Sequence, residues 1–326
     1  MTAGDGPYFE DLARGQVFDW APAVTLTDGH AAVHQAIVGD RLALALDRPL
    51  CAEVVGAGPI AHPALVWDTA IGQSTLATRQ VKANLFYRGL AFRRVPLIGD
   101  TLRTCTEVVA LRQNRSRPGR RPTGLAALRI TTVDQIGRPV LDFWRCAMVS
   151  LGDPAIETGY DDDLDAVGTD RPETDWTALV TDWRLDRFAE RIKGSGRPRP
   201  QEGSTHACGG DVVSSAPELA RTTLNIAAVH HDEEASGGTR LVYGGHTIGV
   251  ALAQLTRAFP NLVTVLGWRS CDHLGPVHEG DTLRSSVTVD RVRPGPSGGA
   301  IVELTSSVVS AADQPVLNWR LTGLMV

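Results

Sequence analysis

A chain of 326 residues with 43% hydrophobic side chains has material for about two cores. Its 32 basic and 37 acidic residues leave a net charge of -5, which excludes the strongly basic face of a nucleic-acid binder, and no apolar run approaches the ~20 residues of a membrane helix. The opening MTAGDGPYFEDL is polar and acidic, with no secretory signal visible. Cys51, Cys105, Cys146, Cys208 and Cys271 are dispersed without a CxxC pair, so the chain reads as a cytoplasmic protein with reduced thiols and no metal site.

In chain order, TDGHAAVHQAIVGD predicts a short helix, with Thr27 as N-cap and Gly39 near its end. A longer helix is expected from Pro63 through PALVWDTAIGQSTL. TLRTCTEVVAL and GLAALRITTV, rich in β-branched residues, predict strands on either side of the loop RQNRSRPGRRP. The segment 153–180 is acidic and contains Pro and Gly, as an exposed linker would. Beyond it, HTIGVALAQLTRAF predicts a helix from His246 with Ile248, Leu252, Leu255 and Phe259 on one apolar face. SSVTVDRV and AIVELTSSVV predict strands again. A long helix followed by an antiparallel meander is an α+β plan in which the sheet wraps the helix.

The plan occurs twice. GDTLR stands at Gly99–Arg103 and again at Gly280–Arg284. Arg-Pro-Gly recurs at 117 and 293, and Pro-Val-Leu at 139 and 315, both with one and the same offset, close to that of GDTLR. Three matches in one order imply a duplicated unit of ~150 residues, too long for a solenoid repeat. The expected units are an N-terminal repeat over 1–152, the acidic linker 153–180 and a C-terminal repeat over 181–326.

The C-terminal unit contains LNIAAVHHD followed by LVYGGHTIG. This block resembles the motif of the MaoC-like hydratases and dehydratases, approximately G-D-x-N-P-L-H-x-D followed by a helix-opening turn. Asn225, His230 and Asp232 stand at the motif's Asp, His and Asp positions, and Gly244-Gly245 at the turn. The N-terminal unit's VGDRLALALD puts Asp40, Ala45 and Asp47 at the same three positions with identical spacing. GDTLRTCTEVVALRQN and the VYGGH block are similar to the mesaconyl-CoA hydratase (β-methylmalyl-CoA dehydratase) group of that family. The resemblance implies two tandem hotdog folds forming a pseudo-dimer, and it allows further assembly of such chains into homo-oligomers. It also implies hydration or dehydration of a short enoyl thioester, branched or carboxylated, on CoA or an acyl carrier. No cofactor is expected besides the thioester.

Hydrating an enoyl thioester requires an activated water, a proton for the α-carbon and stabilisation of the enolate oxygen. An imidazole suits the first two tasks, and backbone N–H groups at a helix N-terminus suit the third. His230, with Asn225 orienting the water, and the Gly244-Gly245 turn are therefore the expected catalytic elements. An amide cannot accept the water's proton. Either His230 is the sole acid–base group, or Asp232, Asp272 or Glu279 contributes. Asp232, His246 and His273 are candidate pocket residues. Arg115, Arg117, Arg120 and Arg121 in the inter-strand loop, and Arg93 and Arg94 before the first GDTL, are candidates for the CoA phosphates. Two alternatives remain: a hotdog thioesterase using Asp68 on the central helix, and a non-catalytic thioester binder. The N-terminal motif lacks the histidine, and Pro63 removes a backbone donor, so one working site is expected in the C-terminal unit.

Overall fold

The computed structural model describes residues 6–169, 174–195 and 200–326. Two short strands, β1 (Val17–Phe18) and β2 (Val24–Thr25), precede helices α1 (Asp28–Val38), α2 (Ala43–Leu46), α3 (Arg48–Val55) and α4 (Pro63–Gln73). Strands β3 (Val81–Phe92), β4 (Thr101–Gln113), β5 (Thr123–Val133) and β6 (Pro139–Ser150) complete the first unit. The second contains α5 (Leu185–Ile192), β7 (Thr205–Val212), α6 (Ala216–Thr222), α7 (Glu233–Ser236) and α8 (Gly244–Ala258). It ends with β8 (Leu262–His273), β9 (Thr282–Pro294), β10 (Ala300–Val309) and β11 (Pro315–Met325).

Local chemistry sets several of these boundaries. Thr27 caps α1 by accepting from the His30 N–H, and Gly39 ends it at φ 71°, a conformation glycine adopts without steric cost. Pro63 opens α4 at a position where its missing N–H breaks no helical bond.

The strands pair antiparallel in one sheet, in the order β1-β4-β5-β6-β3-β8-β11-β10-β9-β7. The halves meet edge to edge through β3 and β8, with Phe86 opposite Asp272 and Leu90 opposite Trp268. Pairing β3 with β8 gives each half's inner edge a partner, so neither is left open for aggregation.

The halves obey a pseudo-twofold relation visible in their hydrogen bonds. Gln73 Nε2 in α4 donates to the Leu102 carbonyl, and Gln254 Nε2 in α8 donates to the Leu283 carbonyl, both partners shifted by the same offset as GDTLR. Every residue of α4 is buried, as is every residue of α8 from Gly245 to Thr256. The single apolar face expected for α8 is thus only part of its buried surface. The two central helices pack against each other inside the joined sheet, so neither has a solvent side. Gly72 lets the segment after α6 approach α4: a Cβ there would lie 1.7 Å from the Thr223 carbonyl oxygen.

Of the acidic segment 153–180, residues 170–173 lie outside the described residues. The part before them is docked on the sheet. Arg88 Nη1 donates to the carbonyls of Leu164, Asp165 and Val167, Leu164 is buried, and Asp162 pairs with Arg14 at 2.6 Å.

Candidate active site

A cavity of about 280 Å³ lies between the halves. From the second half, Asn225, His230, Tyr243, Gly244, Thr247 and His273 line it. The first half contributes Ile71, Thr75, Lys82, Asn84, Tyr87 and Arg145. Among the described residues, no carboxylate lines it.

The Asn225–His230 segment is tied to the other half by its backbone. Thr75 Oγ1 accepts from the Ile226 N–H at 3.0 Å. Asn225 Oδ1 accepts from the Ala227 N–H at 3.0 Å, and among the described residues its Nδ2 has no protein acceptor. His230 ends a 3₁₀ turn over Ala228–His230, and its Nδ1 lies 2.8 Å from the Leu241 carbonyl. A carbonyl only accepts, so Nδ1 carries the proton and Nε2 keeps its lone pair. Burial pushes the His230 pKa down to about 4, against the opposing Leu241 bond, so the ring is neutral near pH 7.

Helix α8 points its N-terminus at the same cavity. Tyr243 is its N-cap without a side-chain capping bond, and the Gly244 and Gly245 N–H groups have no acceptor among the described residues. Both glycines are required sterically. A Cβ on Gly244 would lie 2.8 Å from His273 Nε2, and one on Gly245 would lie 2.1 Å from Asp68 Oδ1. His273 is held edge-to-face by Tyr87 at 5.8 Å between ring centres, and burial lowers its pKa to about 4.

Other expected pocket residues lie elsewhere. His246 is one helical step beyond the glycines, and that rotation turns it from the cavity into the interior. It is fully buried beside His34, with neither ring nitrogen bonded, and burial pushes its pKa down to about 4. Asp232 is exposed and caps α7 by accepting from the Glu234 N–H at 2.9 Å. Asp272 and Glu279 are likewise absent from the lining; Glu279 accepts from the Ser215 N–H.

The arginines divide similarly. Arg93 pairs with Asp142 at 2.7 Å, and Arg94 bridges Asp100 and Asp134 at 3.2 and 2.8 Å. Both are therefore committed to protein carboxylates. Arg115, Arg117 and Arg120 are exposed in the β4–β5 loop. Arg121 donates to the Leu151 and Gly152 carbonyls, yet its charge also helps lower the pKa of Lys82, a cavity residue, after burial.

Sequence reasoning missed the first half's share of the site. Tyr87 and Arg145 are direct cross-strand partners on β3 and β6, and their pseudo-symmetric counterparts on β8 and β11 are Trp268 and Leu321. The constant offset of the Pro-Val-Leu repeat pairs Arg145 with Leu321. Read as a local Trp-Arg match, the same segment conceals this difference. Asp68, on α4, is fully buried between His34 Nε2 at 3.0 Å and the Tyr243 hydroxyl at 3.1 Å, and is not a cavity residue.

An antiparallel sheet wrapped around a central helix, twice in one chain and joined sheet edge to sheet edge, defines a double hotdog protein. By this architecture the chain belongs with the double hotdog proteins. It is 53% identical to RV0216 of Mycobacterium tuberculosis, a conserved hypothetical protein essential for bacterial survival during infection and described as having a double hotdog fold. That structure superposes with a TM-score of 0.92 over 99% of both chains. The β-methylmalyl-CoA dehydratase of Chloroflexus aurantiacus is 29% identical over 289 residues, covering 85% of this chain and 80% of that one. The mesaconyl-CoA hydratase of Cereibacter sphaeroides is 26% identical, covering 98% of this chain and 93% of that one. No family model matches the chain.

Proposed function

We propose that the protein is an acyl-CoA hydratase/dehydratase, a hydro-lyase acting on a short, branched or carboxylated enoyl-CoA such as mesaconyl-CoA. The observation that carries this reading is the convergence of three groups on one cavity: a neutral His230, the amide of Asn225 and the open N-terminus of α8. Its support from relatives is that the two curated ones are, by name, a dehydratase and a hydratase of CoA thioesters.

In the hydration direction, Asn225 Nδ2 donates to the water oxygen while the water donates to His230 Nε2. As the oxygen bonds to the β-carbon, His230 takes the water's proton. The alkene electron pair moves through the α-carbon to the thioester oxygen, where the Gly244 and Gly245 N–H groups receive the charge. The imidazolium then returns its proton to the α-carbon as the enolate collapses, and water has been added across the double bond. Among the described residues no carboxylate lines the cavity, so an imidazole makes both transfers; His230, whose Nε2 lone pair is free beside Asn225, is assigned that role. The sequence demands no metal or redox cofactor.

Incubation with crotonyl-CoA and mesaconyl-CoA, following the conjugated thioester's absorbance and free thiol, tests the reading. Absorbance loss without thiol release is expected. Thiol release would make the protein a thioesterase, and tight binding with neither change would make it a thioester binder.

A further inference from the structure

We propose that Arg145, with the Tyr87 hydroxyl beside it, is a carboxylate-binding subsite, so that the acyl group carries a second, free carboxylate. This rests on the thioester reading of the cavity and specifies the substrate class within it.

Arg145 is 3% exposed and lies on the inward face of β6. Its Nη2 donates to the Ser74 carbonyl at 3.2 Å and to Thr78 Oγ1 at 2.6 Å, which fixes the guanidinium at the end of α4. Its Nε is buried without a partner, and no carboxylate lies within ion-pair distance among the described residues. A buried guanidinium without an anion is costly, and a helix C-terminus offsets only a fraction of a charge. Every other arginine considered above for ligand binding is either exposed or already paired with protein groups. Among the described arginines, Arg145 combines burial, a cavity wall and a missing counter-ion.

The duplication supplies an internal control. Trp268 and Leu321 hold the equivalent cross-strand positions in the other half; both are buried apolar residues of the core, and Trp268 stacks edge-on with Trp67 and Trp319. The fold therefore needs no charge at this position. Where the cavity is open, the same two positions hold a tyrosine and an arginine. Tyr87 is the direct cross-strand partner of Arg145, and the nearby guanidinium charge partly opposes the burial that raises the Tyr87 pKa. Burial keeps Tyr87 protonated throughout the working pH range. Together they present donors converging on one oxygen-rich group. With Lys82 at the wall and no acid among the lining residues, the cavity favours an anionic acyl chain.

Methylsuccinyl-CoA and isovaleryl-CoA separate this from hydration, because they differ by a carboxylate in place of a methyl group and neither contains an alkene. By calorimetry the wild-type protein should bind the former about 30-fold more tightly, the scale of a charge-assisted hydrogen-bond pair. Arg145→Leu, which copies Leu321, should reduce the preference to about threefold or less, and Arg145→Lys should retain part of it because the charge remains but the fork is lost. Equal or undetectable binding of both ligands by the wild type, or an undiminished preference in Arg145→Leu, would overturn the subsite. The wild-type comparison and the lysine variant decide the matter if the leucine variant does not fold. A preserved preference in a protein that hydrates neither enoyl-CoA would remove the hydratase reading and leave the carboxylate site standing. Hydration without preference would do the reverse.

Discussion

The Tyr243 hydroxyl and the Asp68 carboxylate lie 3.1 Å apart and join the two halves directly beneath the candidate site. Tyr243 precedes Gly244-Gly245, and Asp68 Oδ1 fills the space where a Cβ of Gly245 would stand. The aspartate's other oxygen takes His34 Nε2 at 3.0 Å, while the Tyr243 ring meets the His230 ring edge-on at 5.9 Å. A residue of the first half thus sets the position of the helix-opening turn in the second, without touching the cavity.

Asp68→Ala should lower kcat with little change in KM, because it loosens the turn while leaving the cavity walls in place. It also strands the Tyr243 hydroxyl and the His34 imidazole, so a stability loss of about 3 kcal/mol is expected in urea unfolding. Asp68→Asn keeps an acceptor for Tyr243 and should lose less on both counts. An alanine variant with wild-type kcat would show that the turn holds its geometry unaided.

His230→Ala should reduce kcat by about 100-fold or more with the fold intact, and Asn225→Ala by less, since the amide only orients water. Asn225→Asp should retain or raise activity. With the His230 pKa near 4 and the neutral ring acting as base, kcat/KM should be flat around neutrality and fall as pH drops through about 4. Activity within about threefold of wild type in His230→Ala would remove this residue from the mechanism.

The repeat, the central helices and the outer strands were legible because periodicity, capping and the GDTLR spacing are local signals. His230, Asn225, Gly244 and His273 meet at one cavity and all come from one half; Gly245, one residue further along α8, is not among its lining residues. Arg145 and Tyr87 could not be read from the sequence, and Asp68 is offered by it only as a thioesterase carboxylate, not as a support of the helix-opening turn. Their roles depend on the β3–β8 junction and the packing of α4 on α8, contacts between residues far apart in the chain, such as Asp68 and Tyr243. His246, Arg93 and Arg94 were misplaced for the converse reason. Each adjoins a motif in sequence, but helix rotation turns the first away and Asp100, Asp134 and Asp142 take the other two.

His246 offers a stability test. Its counterpart on α4, at the offset that relates Gln254 to Gln73, is Leu65, also buried. The folded-state pKa of about 4 lies below the ordinary value of 6.5, so its contribution is intact above about pH 6.5 and is lost as pH falls toward 4. This single group should cost about 2 kcal/mol between pH 7.5 and pH 5. His246→Leu should remove that acid sensitivity and, by deleting two unbonded ring nitrogens, stabilise the protein at neutral pH by about 1 kcal/mol. Urea midpoints at the two pH values check both statements. A variant as acid-sensitive as wild type would exclude His246 as the group responsible.

One working site per chain is the remaining expectation, and the pseudo-twofold relation makes it specific. Asp40 repeats the Asn225 geometry: its Oδ1 accepts from the Leu42 N–H, as Asn225 Oδ1 does from Ala227. The histidine position holds Ala45, but an imidazole reaches the acid from elsewhere, because His62 Nε2 lies 2.9 Å from Asp40 Oδ1. This dyad is closed. His62 Nδ1 accepts from the Ala64 N–H and so caps α4, consuming a donor that the open turn of α8 leaves free, and Pro63 has no N–H at all. Losing oxyanion donors costs about 2.7–4 kcal/mol apiece in transition-state stabilisation. Trp268 and Leu321 stand where Tyr87 and Arg145 line the cavity, and Trp268 meets the rings of Trp67 and Trp319. Calorimetric titration with a saturated acyl-CoA should therefore saturate near one per chain. Asp40→Asn should lower the melting temperature, because it weakens a buried pair, while changing kcat by less than about fivefold. A stoichiometry of two, or a folded but inactive Asp40→Asn variant, would place catalysis in the first half or divide it between the two.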